Sequence, residues 1–343
     1  MVSKNLDTRS GEAYGHRMPT RLRVVPALLG LLALLALSGA CGAATRDAAT
    51  PSRSGASRAP ASLVRTAAGP VGLTVDSRGR VWVADADAGR VSRLDAAGKP
   101  DLGRPVGQAP LRLAGLDGGI WVTVFSDGAL RRLDEITGRV TRTVRTGPEP
   151  EGVTAAFGSL WVVLQASAEL LRVDPHDGRI TERYRVGTGP RLVRAGGGAL
   201  WVSDFETGRI LRVDPGTGRV RQSAVLCNGP QGMLFTAGRI WVTCTPDDTL
   251  VAVDPHTLRR TSLVPLAGSP DPITAGADGR MLVGLQKGPA VAVVDPASGT
   301  VVRREVLGTA DQLDDRANID LIYVKGHAWL SSYLEGGVYP VTQ

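Results

Sequence analysis

Residues 190–220 read PRLVRAGGGALWVSDFETGRILRVDPGTGRV, and residues 150–180 read PEGVTAAFGSLWVVLQASAELLRVDPHDGRI. The two stretches share a Pro, a Trp 11 residues later and a Val-Asp pair 12 residues after the Trp. Outward from them the same frame recurs. Trp82, Trp121, Trp161, Trp201 and Trp241 are spaced 39, 40, 40 and 40 residues apart, behind the leads GRVW, GGIW, GSLW, GALW and GRIW. Pro70, Pro110, Pro150, Pro190 and Pro230 precede them, and Leu94-Asp95, Leu133-Asp134, Val173-Asp174, Val213-Asp214 and Val253-Asp254 follow. A sixth copy has Leu282 in the Trp position and ends in Val294-Asp295-Pro296. A seventh, divergent copy is centred on Trp329.

A period near 40 residues is that of a propeller blade of four short strands. The first strand follows the Pro. The second holds the Trp and alternates, as in VWVAD and LWVSD. The third reads RVSRLD or RILRVD, and the fourth VTRTVRTG or ITERYRVG. Alternation of period two turns one face of each strand to a neighbouring blade, so the recurring Trp reads as the large apolar filler between blades. The Asp-Pro-x-x-Gly runs at Asp174, Asp214 and Asp295 read as turns between third and fourth strands. There Asp caps the turn, Pro sets φ and Gly accepts positive φ. The expected fold is an all-β, seven-bladed β-propeller of four-stranded antiparallel blades over residues 62–343. The last copy reaches only its third strand, GGVYPVTQ, and residues 62–67 (SLVRTA) are expected to complete blade seven from the N-terminal side, closing the ring and removing its sheet edges.

Before the repeats, residues 24–37 (VVPALLGLLALLAL) form an apolar run of 14 behind Arg21 and Arg23, too short to span a bilayer and shaped as the core of a secretory signal. LSGAC, Leu37 to Cys41, resembles the lipobox of bacterial lipoproteins, with Ser38 where Leu is usual; a plain secretory signal cleaved near Ala40 is the alternative. Residues 1–41 are thus expected to be a signal peptide with Cys41 lipidated, a start at Met18 giving it conventional length. Residues 42–61, rich in Ala, Ser, Arg, Thr and Pro, are expected to be a flexible tether. The expected location is the outer face of the bacterial cytoplasmic membrane, by lipid anchor, or the medium. With Cys41 set aside, Cys227 and Cys244 remain as a pair outside the cytoplasm. Both are expected on one face of the ring, as a disulfide or as two buried thiols.

The net charge of +7 includes +3 from the first 40 residues, and the rest sits mostly in Arg at repeated strand and turn positions. That is a solvated strand face rather than a basic stripe, so nucleic acid is not an expected partner.

The stretch GPVGLTVDSRGRVWVADADAGRVSRLD at 69–95 resembles the NHL and virginiamycin B lyase-like propellers, and the VDPxTGRV copies resemble the YVTN-type propellers. The resemblance covers residues 62–343. It implies the propeller fold, and for the lyase members a His and acidic residues around the central opening with Mg²⁺. Of the four histidines, His16 precedes the signal, His176 and His256 fall in outer turns, and His327 falls in the hairpin before Trp329. None sits where an inner strand begins. The nucleophile elbow GxSxG and glycine-rich phosphate loops are absent as well.

A site is expected where loops into the first strands and out of the second strands share one face. The first set contributes Glu151, Arg191, Gln231, Asp271 and Asn318. The second contributes Asp85, Asp204, Phe205, Glu206, Asp247, Gln286, Lys287 and Tyr333. The insertion at 308–320 adds Asp314, Asp315 and Arg316. These positions vary between blades while the frame does not, which leaves room for function; a plain solvated rim is the structural reading. Mixed Arg, Asp, Glu and Gln suit a small polar molecule, a peptide or a protein partner. The leading expectation is a non-enzymatic, monomeric binding scaffold with no cofactor, a divalent cation being the one inorganic ligand the acidic rim admits. A metal-dependent lyase or lactonase using Glu151, Asp204 and Glu206, and a sensor module for a separate signalling partner, are the alternatives.

Overall fold

The computed structural model describes residues 62–311 and 318–342; the signal, the tether, Cys41 and Arg316 lie outside the described residues. Within them, 28 strands form seven four-stranded antiparallel sheets. Blade one is Pro70–Val75, Val81–Asp85, Arg90–Leu94 and Pro100–Pro105, in that order from the axis outward. Blades two to six repeat it, and the seven first strands line the axis. Blade seven is Leu321–Val324, His327–Ser332 and Gly337–Thr342, completed by Val64–Arg65, with Val64 opposite Val338 and Arg65 opposite Gly337. The ring therefore closes as the sequence implied, through a strand of only two residues.

The five regularly spaced Trp side chains are fully buried. Trp121 packs on Val153, Leu160 and Val162 of the next blade, and Trp161 on Val193, Leu200 and Val202 of the blade after. Leu282 fills the sixth gap against Leu321 and Leu330, and Trp329 closes the seventh against Leu73 and Val83 of blade one. Truncating such a side chain typically costs about 3–5 kcal/mol, so these wedges dominate cohesion between blades. The ring N–H groups of Trp161 and Trp201 donate to the Ala156 and Gly196 carbonyls, both at 3.0 Å. The Asp turns form as expected. Asp214 Oδ1 accepts from the Gly216 and Thr217 amides at 3.0 and 2.8 Å, and Gly218 holds φ +69°.

Each first strand of blades one to six carries a register shift between its opening proline and the residue three positions on. Such bulges re-aim side chains and free an amide from the ladder. In blades two, four, five and seven a Thr or Ser two residues after the Trp takes up an amide of this stretch. Thr123 Oγ1 accepts from Arg112 N at 3.0 Å and donates to Glu151 O at 2.8 Å. Thr243 does the same between Gly232 N and Asp271 O, at 2.8 and 2.6 Å. Ser331 links Asp320 N to Val71 O, at 2.7 and 2.7 Å.

Cys227 and Cys244 form a disulfide with Cα atoms 6.0 Å apart. The fourth strand of blade four stops short of Cys227, at Val220–Gln222, because Ser223 Oγ takes the Ile210 amide at 3.1 Å in place of a ladder carbonyl. Cys227 lies beyond it, in the connection to blade five.

The inner strands come very close at the second residue after each opening proline. A Cβ on Gly152 stands 2.7 Å from Arg191 O and 2.9 Å from Leu192 Cα, and Cβ atoms on Gly72 and Gly232 would overlap the Leu111 and Asp271 carbonyl oxygens. Backbone cannot yield as a flexible side chain would. Gly152→Ala is therefore expected to lower unfolding stability by about 1–3 kcal/mol, the range for overpacking, as read from the urea midpoint. A midpoint like that of the wild type would show the inner ring to be looser than drawn.

Candidate functional site

The bulges decide what faces the axis at the rim. The residues directly after the opening prolines are Val71, Leu111, Glu151, Arg191, Gln231 and Asp271, with Ile319 in the matching place of blade seven. Glu151, Gln231 and Asp271 are buried. The Arg191 guanidinium lies 3.2 Å from Glu151 Oε1, donates to Asn318 Oδ1 at 3.4 Å and covers the Phe205 ring at 5.1 Å. Burial works against the Arg191 charge, but Glu151 beside it more than compensates and holds its pKa above the ordinary value. Gln286 Nε2 donates to Asp271 Oδ2 at 2.8 Å. Burial pushes the Asp271 carboxyl up against the opposing pull of Arg112, Gln286 and Arg191.

Other rim residues chosen from the sequence are tied into the frame. Asp85 accepts from the Thr66 and Ser92 hydroxyls at 2.8 and 2.6 Å and from Ala67 N at 3.3 Å, anchoring the closing segment to blade one. Asp204 accepts from the Thr188 and Gly189 amides at 3.1 and 2.9 Å. Asp247 is exposed and accepts from Asn228 N and Nδ2 at 2.8 and 2.7 Å. Tyr333 donates to Asp87 at 2.8 Å on the blade-seven side.

Three of the chosen residues meet in one cleft. Arg191, Phe205 and the exposed Glu206 line a depression of about 350 Å³ together with Glu149, Gln165 and Thr188. Glu149 also borders a second depression of about 610 Å³ lined by Phe125, Asp127 and Arg145, so the two flank one residue on the rim over blades two to four. Sequence reasoning passed over Glu149, Gln165 and Phe125. A signal for Glu149 was available. The position before the opening proline is Gly69, Ala109, Glu149, Gly189, Gly229 and Ser269, small everywhere but here. Glu149 has φ +58°, a region costly for a long side chain and found where other demands override local preference.

Below the rim plug a second space opens on the axis, along the later halves of the inner strands and towards the hairpin face. It measures about 280 Å³ and is lined by Arg112, Arg194, Asp320 and Thr74, Thr154 and Thr274. None of these figured among the residues chosen from the sequence.

Among the described residues, no group of three or more His, Cys, Asp or Glu is placed to hold a metal ion. His176, His256 and His327 are exposed and stand in the turns and hairpins of the face opposite the rim. The Mg²⁺ implied by the lyase resemblance finds no matching donor set. Glu151 is engaged by Arg191, both Asp204 oxygens accept backbone amides, and no imidazole of the described residues stands near the axis.

Residues 68–94, which span the inner part of blade one, match the NHL repeat. This is a seven-bladed β-propeller whose first blade matches the NHL repeat. No curated protein matches the chain. Solved structures with the same architecture include a streptogramin B lyase, 18% identical, with TM-score 0.69 over 81% of this chain and 96% of that one. Virginiamycin B lyase from Staphylococcus aureus is 19% identical, with TM-score 0.69 over 82% and 97%. Hydrazine synthase of Kuenenia stuttgartiensis is 14% identical, with TM-score 0.70 over 82% and 97%. At these identities the likeness is one of fold, and fold alone does not carry chemistry.

Asp271 supplies a test of the rim plug. Its folded pKa is raised, so its contribution to stability is full below the unfolded carboxylate pKa and is lost as pH rises through the folded value. Asp271→Asn cannot ionise and keeps an acceptor for Gln286. Its urea midpoint is expected to exceed that of the wild type at neutral pH, with the gap closing as pH falls into the carboxylate range. A gap independent of pH would contradict burial as the cause.

Proposed function

We propose that the protein is an exported, lipid-anchored propeller that binds a polar small molecule or peptide segment in the rim depressions over blades two to four. The observation that carries this reading is the cleft in which Arg191 covers Phe205 beside the exposed Glu206 and the strained Glu149. It offers an aromatic face, a fixed guanidinium, two carboxylates and an amide within one depression, the mixture that orients a polar ligand. Glu151 holds Arg191 in place from behind and leaves the exposed side of the guanidinium to a ligand.

The test is thermal unfolding of the protein against a panel of sugars, lactones, short peptides and divalent cations. A ligand at a hundred times its dissociation constant adds about 2.7 kcal/mol of stability. For a ligand so found, Phe205→Ala and Arg191→Ala are each expected to weaken binding about tenfold, ~1.4 kcal/mol. Unchanged affinity in both variants would move the site elsewhere. The anchor has its own test. Cys41→Ser is expected to abolish incorporation of labelled palmitate and release the protein into the medium, whereas a membrane-retained variant would exclude Cys41 as the attachment point.

A metal-dependent lyase or lactonase is the second reading, favoured by the lyases among the structural neighbours. Turnover of a cyclic depsipeptide or lactone that is lost with chelator and in Glu206→Gln would establish it.

A further inference from the structure

The cavity on the hairpin side of the axis is built around an arginine with one edge of its guanidinium unpaired. Arg112 is only 2% exposed. Its Nη1 donates to Ile319 O at 3.1 Å and lies 3.5 Å from Asp320 Oδ2, while Nε and Nη2 have no hydrogen-bond partner. Those two nitrogens form one edge of the guanidinium, the parallel pair of donors that matches an oxyanion bidentately. A buried charged donor left unpaired costs more than a neutral one, and two on the same edge is not a packing accident of a flexible surface chain.

Arg194 reaches the same space from blade four. Its Nη1 donates to the neighbouring Val193 O at 3.2 Å, and its Nη2 stands 3.8 Å from Asp320 Oδ1. The one carboxylate between the two guanidiniums is already engaged by backbone. Leu73 N donates to Asp320 Oδ2 at 3.0 Å, and Leu321 N to Oδ1 at 2.9 Å. Two guanidiniums thus share the Asp320 carboxylate, itself shared with two amides, and Asp271 stands within electrostatic reach of both. Burial and the charge of Arg112 both lower the Arg194 pKa, with Asp320 and Asp271 opposing. The partly exposed Thr74, Thr154 and Thr274 place hydroxyls in the wall, from three different blades.

We propose that this axial cavity is a binding site for a small oxyanion, a carboxylate or phosphate group entering from the hairpin face and held by Arg112 and Arg194. It is separated from the rim depressions by the buried plug of Glu151, Gln231 and Asp271, so either site stands without the other.

The experiment is thermal unfolding of the full-length protein in sodium acetate, sodium phosphate and sodium chloride at matched ionic strength. A saturable rise in Tm with acetate or phosphate, and none with chloride, is expected; which of the two acts separates a carboxylate ligand from a phosphate one. Arg194→Gln, on a partly exposed side chain, is expected to keep the Tm in chloride and weaken the oxyanion at least tenfold. Arg112→Lys keeps the charge but loses the fork and is expected to weaken it as well. Arg191→Ala at the rim is expected to leave the response intact, which distinguishes this site from the rim depressions. Equal shifts in all three salts, no shift with either oxyanion, or a response that survives both Arg194→Gln and Arg112→Lys would overturn the proposal.

Discussion

Seven inner strands crowd one axis, and the rest of the molecule follows from the lack of room there. At the second residue after each opening proline the ring reads Gly72, Arg112, Gly152, Leu192, Gly232, Pro272 and Asp320. Glycine alternates with a side chain because a Cβ on the glycine would meet the next strand's backbone. Seven is odd, so the alternation fails once, between Pro272 and Asp320. Blade seven meets that place after an insertion, without an opening proline and without a register shift in its first strand. The bulges of blades one to six relieve the same crowding, and the hydroxyls of Thr123, Thr243 and Ser331 satisfy the amides set free or exposed beside it.

Crowding also fixes what a polar residue costs on the axis. Charges taken from water there must find partners, and even a paired buried ion pair is weak evidence for stability, because desolvation offsets much of the attraction. Glu151 and Arg191 satisfy one another, and Asp271 has Gln286. Yet Gln231 Oε1, Asp271 Oδ1 and two Arg112 nitrogens lack hydrogen-bond partners. An apolar ring like that of Val71 and Leu111 would have been cheaper at every one of these places.

The frame was legible because packing repeats. A Trp required between every pair of blades recurs every 39 or 40 residues, and an Asp required at a turn recurs with it. Closure by residues near 62–67 was legible for the same reason, from a copy one strand short. The end of the fourth strand in blade four was not, because a single hydroxyl, Ser223, replaced ladder pairing without changing the pattern. The site was legible only in part. Arg191, Phe205 and Glu206 occupy positions that vary from blade to blade, and variation marked them. Arg112 and Asp320 hide at a position that is glycine in three blades and so reads as frame, while Arg194 sits within a strand where alternation predicts nothing of depth. Glu149 stands where small residues are the rule, an exception that a column-by-column reading of the repeats exposes.

The axis therefore has two unlike ends joined by one wall. At the rim the bulges turn Glu151, Gln231 and Asp271 inward and close the opening. Towards the hairpins the strands resume regular pairing, threonines and alanines stand in the wall beside Arg112, Arg194 and Asp320, and the opening returns. The difference arises within a single strand of about seven residues, Pro150–Ala156, whose first half is bulged and whose second half is not. A propeller built this way can change what it binds at one end by substitution after the proline, and at the other by substitution three residues later, without disturbing the Trp wedges that hold the blades together. Lyases and a hydrazine synthase share this architecture at under 20% identity to the chain. The residues that specify the ring and the residues that face its ends are different sets, and only the first is dictated by packing.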